Sequence, residues 1–385
     1  MKYLFTLLIA LLTFSLTSCD YIDFISKCSW KNISSSDSAF VRAIQLNKIE
    51  DYLYEVTFSD YDLDEGEELY NTIDIPFGGC TSVRNGDFLG RNLDWLYDET
   101  VDFVVHTPAI EGRHATLGVS GIIPFLNKFN ANFGTYDENY KLIPYVMMDG
   151  INDAGLVVNA NLQPLGDRGL TTGTNPGKDR MNTVLAVRYL LDYAGSVDEA
   201  IELLKKKDLH YAEISGSVME VHLMLSDPKK TSVVEFVDNK MVVVEDSVVM
   251  TNYFLSQGIT PHAQGVERAD LVKENYKKGE TKEGMIELMR MVNFSNYYNP
   301  KTSPRWYSDM FDGDTSDKPD LTWDSDKKTI EKYYLKEVLR FKLRNRVNYE
   351  TWHTVHNSIY NIKEKTLDIL VQEQETVHHF DINQK

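Results

Sequence analysis

The chain has 385 residues and a formal net charge of −18. Phosphate binding needs a basic footprint, so this balance excludes nucleic acid as a partner and points mainly to solubility. A composition of 42% hydrophobic and 25% charged residues fits a globular protein with a real core, in one large domain or more.

In chain order, Met1-Lys2 comes first, followed by the apolar run Tyr3 to Leu12 and then Leu16-Thr17-Ser18-Cys19. A short positive end, an apolar stretch and small residues before a cut site describe an export signal over residues 1–18, not a membrane span. Leu-Thr-Ser-Cys also matches the bacterial lipoprotein box. Cys19 is therefore expected to carry acyl chains that anchor the protein to a membrane of the cell envelope. An ordinary secretory signal with a chance cysteine is the other reading.

Residues 19–79 read as an acidic pro-segment. Positions 20–79 hold thirteen acids against four bases, half of the chain's excess negative charge. Asn32 to Ser38 is a serine-rich tether, and Phe40 to Phe58 mixes strand and helix signals. The carboxylate run Asp60 to Glu68 reads as a solvated acidic face. As a calcium loop its Gly66 falls one residue late, and its twelfth position is Asn71.

Gly78-Gly79-Cys80 follows. Val83 to Asn92 predicts a hairpin turning at Asn85-Gly86. The returning strand carries Arg91 back beside Cys80, with Asp94 close by. Strand-length apolar segments then recur at Phe103 to His106, Ala115 to Ile123, Leu142 to Met148, Leu156 to Leu162, Val218 to Leu225, Ser232 to Val237, Met241 to Val244 and Ser247 to Met250. Helical signals lie at Asn182 to Asp192, after a Ser196/Glu199 capping box, and at Thr281 to Val292 with Thr281 as cap. Asn293 to Lys327 is polar and long, as functional lids often are. Strand patterning resumes at Trp352 to Tyr360 and Thr366 to Val371. Hairpins flanked by helices predict a layered α/β sandwich, not a parallel βαβ array, with residues 80–385 as one catalytic domain.

The chemistry centres on one thiol. The three cysteines are Cys19, Cys28 and Cys80, and none is in a CxxC or zinc-type spacing. There is no H-E-x-x-H, and His378-His379 reads as a solvated pair, so neither metal nor cofactor is expected. Gly-x-Ser-x-Gly is absent, which leaves a serine hydrolase elbow unsupported. Gly-Gly-Cys alone reads first as a turn before a strand. Arg91 and Asp94 beside it shift the reading to a nucleophile, since a guanidinium favours the reactive thiolate. A cut between Gly79 and Cys80 would free an α-amine with a reference pKa of about 7.7 to 8.0, poised to take the thiol proton. The glycines permit the strained geometry that such a cut needs. A nucleophile must stay a free thiol, so no Cys28–Cys80 disulfide is expected.

Cys-Thr-Ser followed by Gly-Arg-Asn-Leu-Asp-Trp resembles the start of mature linear amide C–N hydrolases of the N-terminal nucleophile type. These include choloylglycine (bile salt) hydrolases, penicillin V acylases and acid-ceramidase-like amidases. Asp149-Gly150-Ile151-Asn152-Asp153-Ala154-Gly155-Leu156 resembles the family's DGxNxxGL segment. Ser232 to Phe236, Val249 to Asn252, Val266-Glu267-Arg268 and Trp352 to Ile369 keep the family's order, so the likeness spans roughly residues 80 to 372. It implies a four-layer αββα sandwich of two mostly antiparallel sheets. It also implies Cys80 as nucleophile with its own amine as base, Arg91 and Asp94 as the charges beside it, and Asn252 near that amine. Asn161 would be the oxyanion donor, with Asn159 a competitor on the same strand face, and Arg268 a second site arginine.

The chain departs from the family in two places. About sixty residues separate Cys19 from Cys80, which implies autoproteolysis, and the closing segment Thr351 to His356 is off-pattern. The implied function is a self-processing cysteine amidase acting on a linear N-acyl amide of conjugated bile acid, penicillin V or fatty-acyl amino acid type, through a thioester. An acyltransferase and a non-catalytic surface lipoprotein on the same fold are the alternatives. The expected partners are that small-molecule substrate and, through Cys19, a membrane; a homo-oligomer is compatible. The acidic pro-segment is expected to cover Arg91 and Arg268 before cleavage.

Overall fold

Short apolar segments separated by turn residues pair with their neighbours in sequence, and that logic builds most of this fold. The computed structural model describes residues 44–383 except 51, 59–60, 71–78, 96–101, 122–142, 163–167, 171–172, 215–216, 259–264 and 294–352. The export signal, Cys19, Cys28, the serine-rich tether, Gly78 and nearly all of the polar stretch from Asn293 to Lys327 lie outside the described residues.

The strands are β1 Ile44–Glu50, β2 Leu53–Phe58, β3 Gly79–Asn85, β4 Phe88–Trp95, β5 Asp102–Thr107, β6 Thr116–Gly121, β7 Met147–Asn152, β8 Val157–Leu162, β9 Arg180–Asn182, β10 Asp208–His210, β11 Ala212–Ile214, β12 Ser217–Met219, β13 Val221–Ser226, β14 Thr231–Val237, β15 Lys240–Glu245, β16 Val249–Met250, β17 His353–Asn361, β18 Thr366–Val371 and β19 His378–Asp381. One sheet has nine strands in the order β1-β2-β5-β6-β7-β8-β13-β14-β15, and a second has six in the order β16-β3-β4-β17-β18-β19. Within these two sheets every pairing is antiparallel except β2 with β5. Two short two-stranded pairs, β9 with β10 and β11 with β12, stand apart.

Three buried apolar clusters correspond to the three interfaces of a four-layer αββα sandwich. Between the sheets pack Leu89, Tyr360 and Ile369 from one and Leu117, Ile151 and Met224 from the other. Outside the larger sheet, Phe103, Val105 and Val158 meet Val187, Leu190 and Leu191 of the helix Leu185–Tyr193 and Ala200 and Leu204 of the helix Val197–Lys205. Outside the smaller sheet, Val83, Ile359 and Leu370 meet Ala269 and Val272 of the helix Val266–Glu274, and Met285, Leu288 and Met289 of the helix Lys282–Met291. Gly90 makes the last contact feasible, because a Cβ there would lie 2.6 Å from Met289 Cγ. The predicted caps form: Ser196 Oγ accepts from Glu199 N at 3.3 Å, and Thr281 Oγ1 from Gly284 N at 3.1 Å.

Three segments depart at least in part from the expectation. The segment before Cys80 is part of the sheet, since β1 and β2 form one edge of the nine-stranded sheet and Leu53, Val56 and Phe58 are fully buried. The carboxylate run is not simply a solvated face. It forms the helix Leu63–Tyr70, whose Glu67 turns inward to accept from Asn182 N and Nδ2, both at 2.8 Å, and to meet His210. Just ahead, Tyr61 donates to Asp192 at 2.7 Å, and its ring lies 5.1 Å from the Arg113 guanidinium and 5.3 Å from that of Arg188. Of the pair His378-His379, His379 is exposed as expected and pairs with Asp368 at 2.9 Å, while His378 is largely covered and pairs with Glu50 at 2.8 Å.

These contacts make the residues before Cys80 a load on stability. Replacing Phe58 with alanine is expected to cost ~3–5 kcal/mol, as for other buried phenylalanines, in a denaturant melt. A loss below ~1 kcal/mol would show that β2 contributes little to the fold.

Candidate active site

The predicted hairpin places the thiol. Gly86 turns the chain with a φ of +53°, and β3 pairs with β4 from Asn85 opposite Phe88 to Gly79 opposite Asp94. Side chains alternate along β3. Ser82 faces the larger sheet, while Thr81 and Val83 face the helices outside the smaller one. The Cys80 thiol is free and only 3% exposed.

Arg91 approaches the sulfur from β4. Its Nη2 lies 3.7 Å from Cys80 Sγ and donates to Ala160 O at 3.1 Å, while Nη1 pairs with Asp149 Oδ2 at 3.0 Å. Burial pushes the Cys80 thiol pKa up, and Arg91, the Leu162 backbone and Arg268 oppose that only in part. In the uncut chain the sulfur is therefore held as a thiol.

The backbone of Cys80 is held from the other side. Its N–H donates to Asn252 Oδ1 at 2.9 Å, and Asn252 Nδ2 donates to Leu162 O at 2.6 Å. Arg268, fully buried on the helix Val266–Glu274, sends Nη1 to Cys80 O at 2.9 Å, to Thr81 Oγ1 at 2.8 Å and to Asp94 Oδ2 at 3.2 Å. Its Nη2 donates to Asn252 Oδ1 at 2.5 Å. Gly265 lets this helix start close to the site: its φ is +72°, and a Cβ would lie 2.6 Å from Arg268 Nη2. Asp94 also accepts from Thr354 Oγ1 at 2.6 Å. Burial, against the pull of Arg268 and Thr354, raises the Asp94 pKa to about 6.

Five predicted residues therefore converge: Cys80, Arg91, Asp94, Asn252 and Arg268. In the uncut chain the acceptor for the Cys80 nitrogen is Asn252, while Asp94 holds Arg268. Gly79 opens β3 opposite Asp94, at the predicted cut.

Asn161 lies beside this group. Ser82 Oγ is 2.9 Å from Asn159 Oδ1 and 3.2 Å from Asn161 Oδ1, and Asn161 Nδ2 donates to Met250 O at 3.1 Å. One hydroxyl proton serves one acceptor, and Asn159 Nδ2 has no hydrogen-bond partner among the described residues in this orientation. Turning the Asn159 amide over satisfies both: Asn159 Nδ2 donates to Ser82, Ser82 to Asn161 Oδ1, and Asn161 to Met250 O. The Asn161 amide thus spends its donor on the backbone of β16.

Asp102, Asp149, Thr354 and His356 complete the surroundings, and reading the sequence did not assign them roles. Asp149 stands in the DGxNxxGL-like segment, which was its one local signal. Thr354 and His356 stand in the off-pattern closing segment, and only the β4–β17 pairing brings them here.

A family model for the acyl-coenzyme A:6-aminopenicillanic acid acyl-transferase matches residues 82–376, starting just past the thiol. No curated protein matches the chain. Similar solved structures include a penicillin V acylase from Agrobacterium tumefaciens, 15% identical over 79% of this chain and 86% of that one, with a TM-score of 0.41. A mutant conjugated bile acid hydrolase from Clostridium perfringens is 14% identical over 79% and 92%, with a TM-score of 0.43. A Caenorhabditis elegans ortholog of N-acylethanolamine-hydrolyzing acid amidase is 11% identical over 74% and 92%, at 0.34. The family model covers well over half of the residues, and the chain belongs to the acyl-coenzyme A:6-aminopenicillanic acid acyl-transferase family.

Proposed function

We propose that this chain is a self-processing cysteine amidase that hydrolyses a linear N-acyl amide through a thioester on Cys80. The observation that carries this reading is the hold on one peptide bond. The nitrogen of the Gly79–Cys80 bond already sits on Asn252 Oδ1, and the sulfur of the same residue faces Arg91.

Cleavage begins when Cys80 Sγ adds to the Gly79 carbonyl. The C–N bond breaks, the thiol proton ends on the Cys80 nitrogen, and Gly79 is left as a thioester. Water then releases Gly79 as a carboxylate and returns the thiol. The new amine stays on Asn252 and takes the thiol proton in later turnovers. On a substrate, Sγ adds to the acyl carbonyl, the amine returns its proton to the departing nitrogen, and water activated by the same amine hydrolyses the thioester. The proposed oxyanion donors are the Leu162 backbone N–H, and Asn161 Nδ2 once it exchanges Met250 O for the substrate. Losing one such donor typically costs about 10²–10³ in rate.

The family model's own description favours a second reading, in which the thioester passes to an amine instead of water. Product analysis with an added amino acid acceptor separates the two. Conjugated bile acids, penicillin V and fatty-acyl amino acids form the substrate panel. Cys80→Ala is expected to abolish turnover of every panel member that wild type cleaves, and an active Cys80→Ala protein would overturn the proposal.

Asp94 sets a pH limit. Above about 6 its carboxylate holds Arg268, and below that protonation loosens the grip on Asn252 and Cys80 O. Self-cleavage, followed by the fraction of cut chain, is expected to slow as pH falls through about 6. A rate that stays flat from pH 5 to 8 would contradict this role.

The lipid on Cys19 and the envelope location remain part of the proposal. Blocking of the site by the segment 20–79 before cleavage is also part of the proposal, with residues 44–70 of that segment supplying two strands and a helix. The cut piece is expected to stay docked through β2, which pairs with β5, and through Tyr61. Both pieces should then fractionate with membranes. A catalytic piece found free in the soluble fraction would contradict the docking.

A further inference from the structure

Arg91 is one of four ionisable groups that meet between the sheets. Asp149 comes from β7, Asp102 from β5 and His356 from β17, and all four side chains are fully buried. His356 Nδ1 lies 2.9 Å from Asp102 Oδ1, and Nε2 lies 3.3 Å from Asp149 Oδ2. Arg91 Nη1, 3.0 Å from His356 Nε2, converges on the same Asp149 oxygen. Ser358 Oγ, at 2.8 Å, and the Tyr360 hydroxyl donate to the other Asp149 oxygen.

Charge decides the state of this cluster. With a neutral His356, two carboxylates would face one guanidinium, leaving a net negative charge in the core. Protonation of His356 balances two negative charges with two positive ones, and it adds an Nε2–H donor for Asp149 to the Nδ1–H that faces Asp102. Burial alone would lower the His356 pKa; Asp102 and Asp149 outweigh it and bring the value up to about 9. In the protonated ring Nδ1–H serves Asp102 and Nε2–H serves Asp149, whereas a neutral ring would accept from Arg91 Nη1 at Nε2.

We propose that the His356 imidazolium is a positioning group for Arg91: by sharing Asp149 with Nη1 and cancelling the charge of Asp102, it keeps the Nη2 edge facing Cys80 Sγ and favours the thiolate. This rests on the reading of Cys80 as nucleophile. His356 makes no hydrogen bond to Cys80 among the described residues, so it acts through Arg91. The other groups facing the sulfur are Asp94, Arg268 and the Leu162 backbone.

The test reads the thiol and needs no substrate. The rate of Cys80 alkylation by iodoacetamide is followed by mass spectrometry against pH, on the full chain as expressed. His356→Gln keeps a hydrogen-bonding side chain but leaves the cluster one negative charge in excess. Its alkylation profile is expected to move up by about one pH unit, which makes it about tenfold slower at pH 7. Adding Asp102→Asn restores the balance, so the double variant should return to within about threefold of wild type. An unshifted His356→Gln profile, or a double variant as slow as the single one, would overturn the proposal. Histidine NMR of the wild type covers the case in which the variants fail to fold. A ring charged through pH 8 supports the proposal, and a neutral ring at pH 7 overturns it. Thiol coupling without any amidase turnover would count against the proposed function and leave this inference standing.

Discussion

The Cys80 amide nitrogen donates to Asn252 Oδ1 at 2.9 Å, and Arg268 holds both that oxygen and the carbonyl that follows. Two elements far from β3 in sequence thus grip one of its residues: the loop after β16 and the helix Val266–Glu274. The grip fixes where the nitrogen stays if its bond to Gly79 is broken. A freed amine would not need to find its place, because its acceptor is already set. Asp94 and Thr354 complete the cage around Arg268, so the outer face of the hairpin serves the backbone and the inner face serves the sulfur.

The sheet topology makes such a cut tolerable. From β2 in the larger sheet the chain crosses to β3 and β4 in the smaller one, then returns to β5 beside β2. That excursion is why β2 and β5 run parallel where every other neighbouring pair in the two large sheets is antiparallel. A break at Gly79 severs the crossover, but β2 keeps its ladder to β5, and Phe58 and Tyr61 keep their sockets. The burial that positions the thiol also suppresses its ionisation, so the same packing that builds the site keeps it quiet.

Local signals carried a good share of this. The Asn85-Gly86 turn, the Ser196 and Thr281 caps and most strands were legible, because each depends on neighbours within a few residues. The hairpin alone placed Arg91 against Cys80. The strands before Cys80 were only half legible, because Phe40 to Phe58 mixes strand and helix signals within an acidic segment. Glu50, Glu55 and Glu67 instead meet His378, His106 and His210, and no local pattern predicts pairs so distant in sequence. The buried cluster of Arg91, Asp149, His356 and Asp102 is illegible for the same reason, as it exists only once β4, β5, β7 and β17 come together. Asn161 was legible as a polar residue sharing a strand face with Asn159, but that its amide donates to Met250 O follows only from the meeting of β8 with β16.

The central claim is that Cys80 works from a new N-terminus. Intact mass measurement of the purified wild-type protein tests it most directly. Two chains are expected, with masses that sum to the parent plus one water, the larger beginning at Cys80 with a free amine and a free thiol. A single uncut chain that nonetheless turns over an N-acyl amide would contradict it.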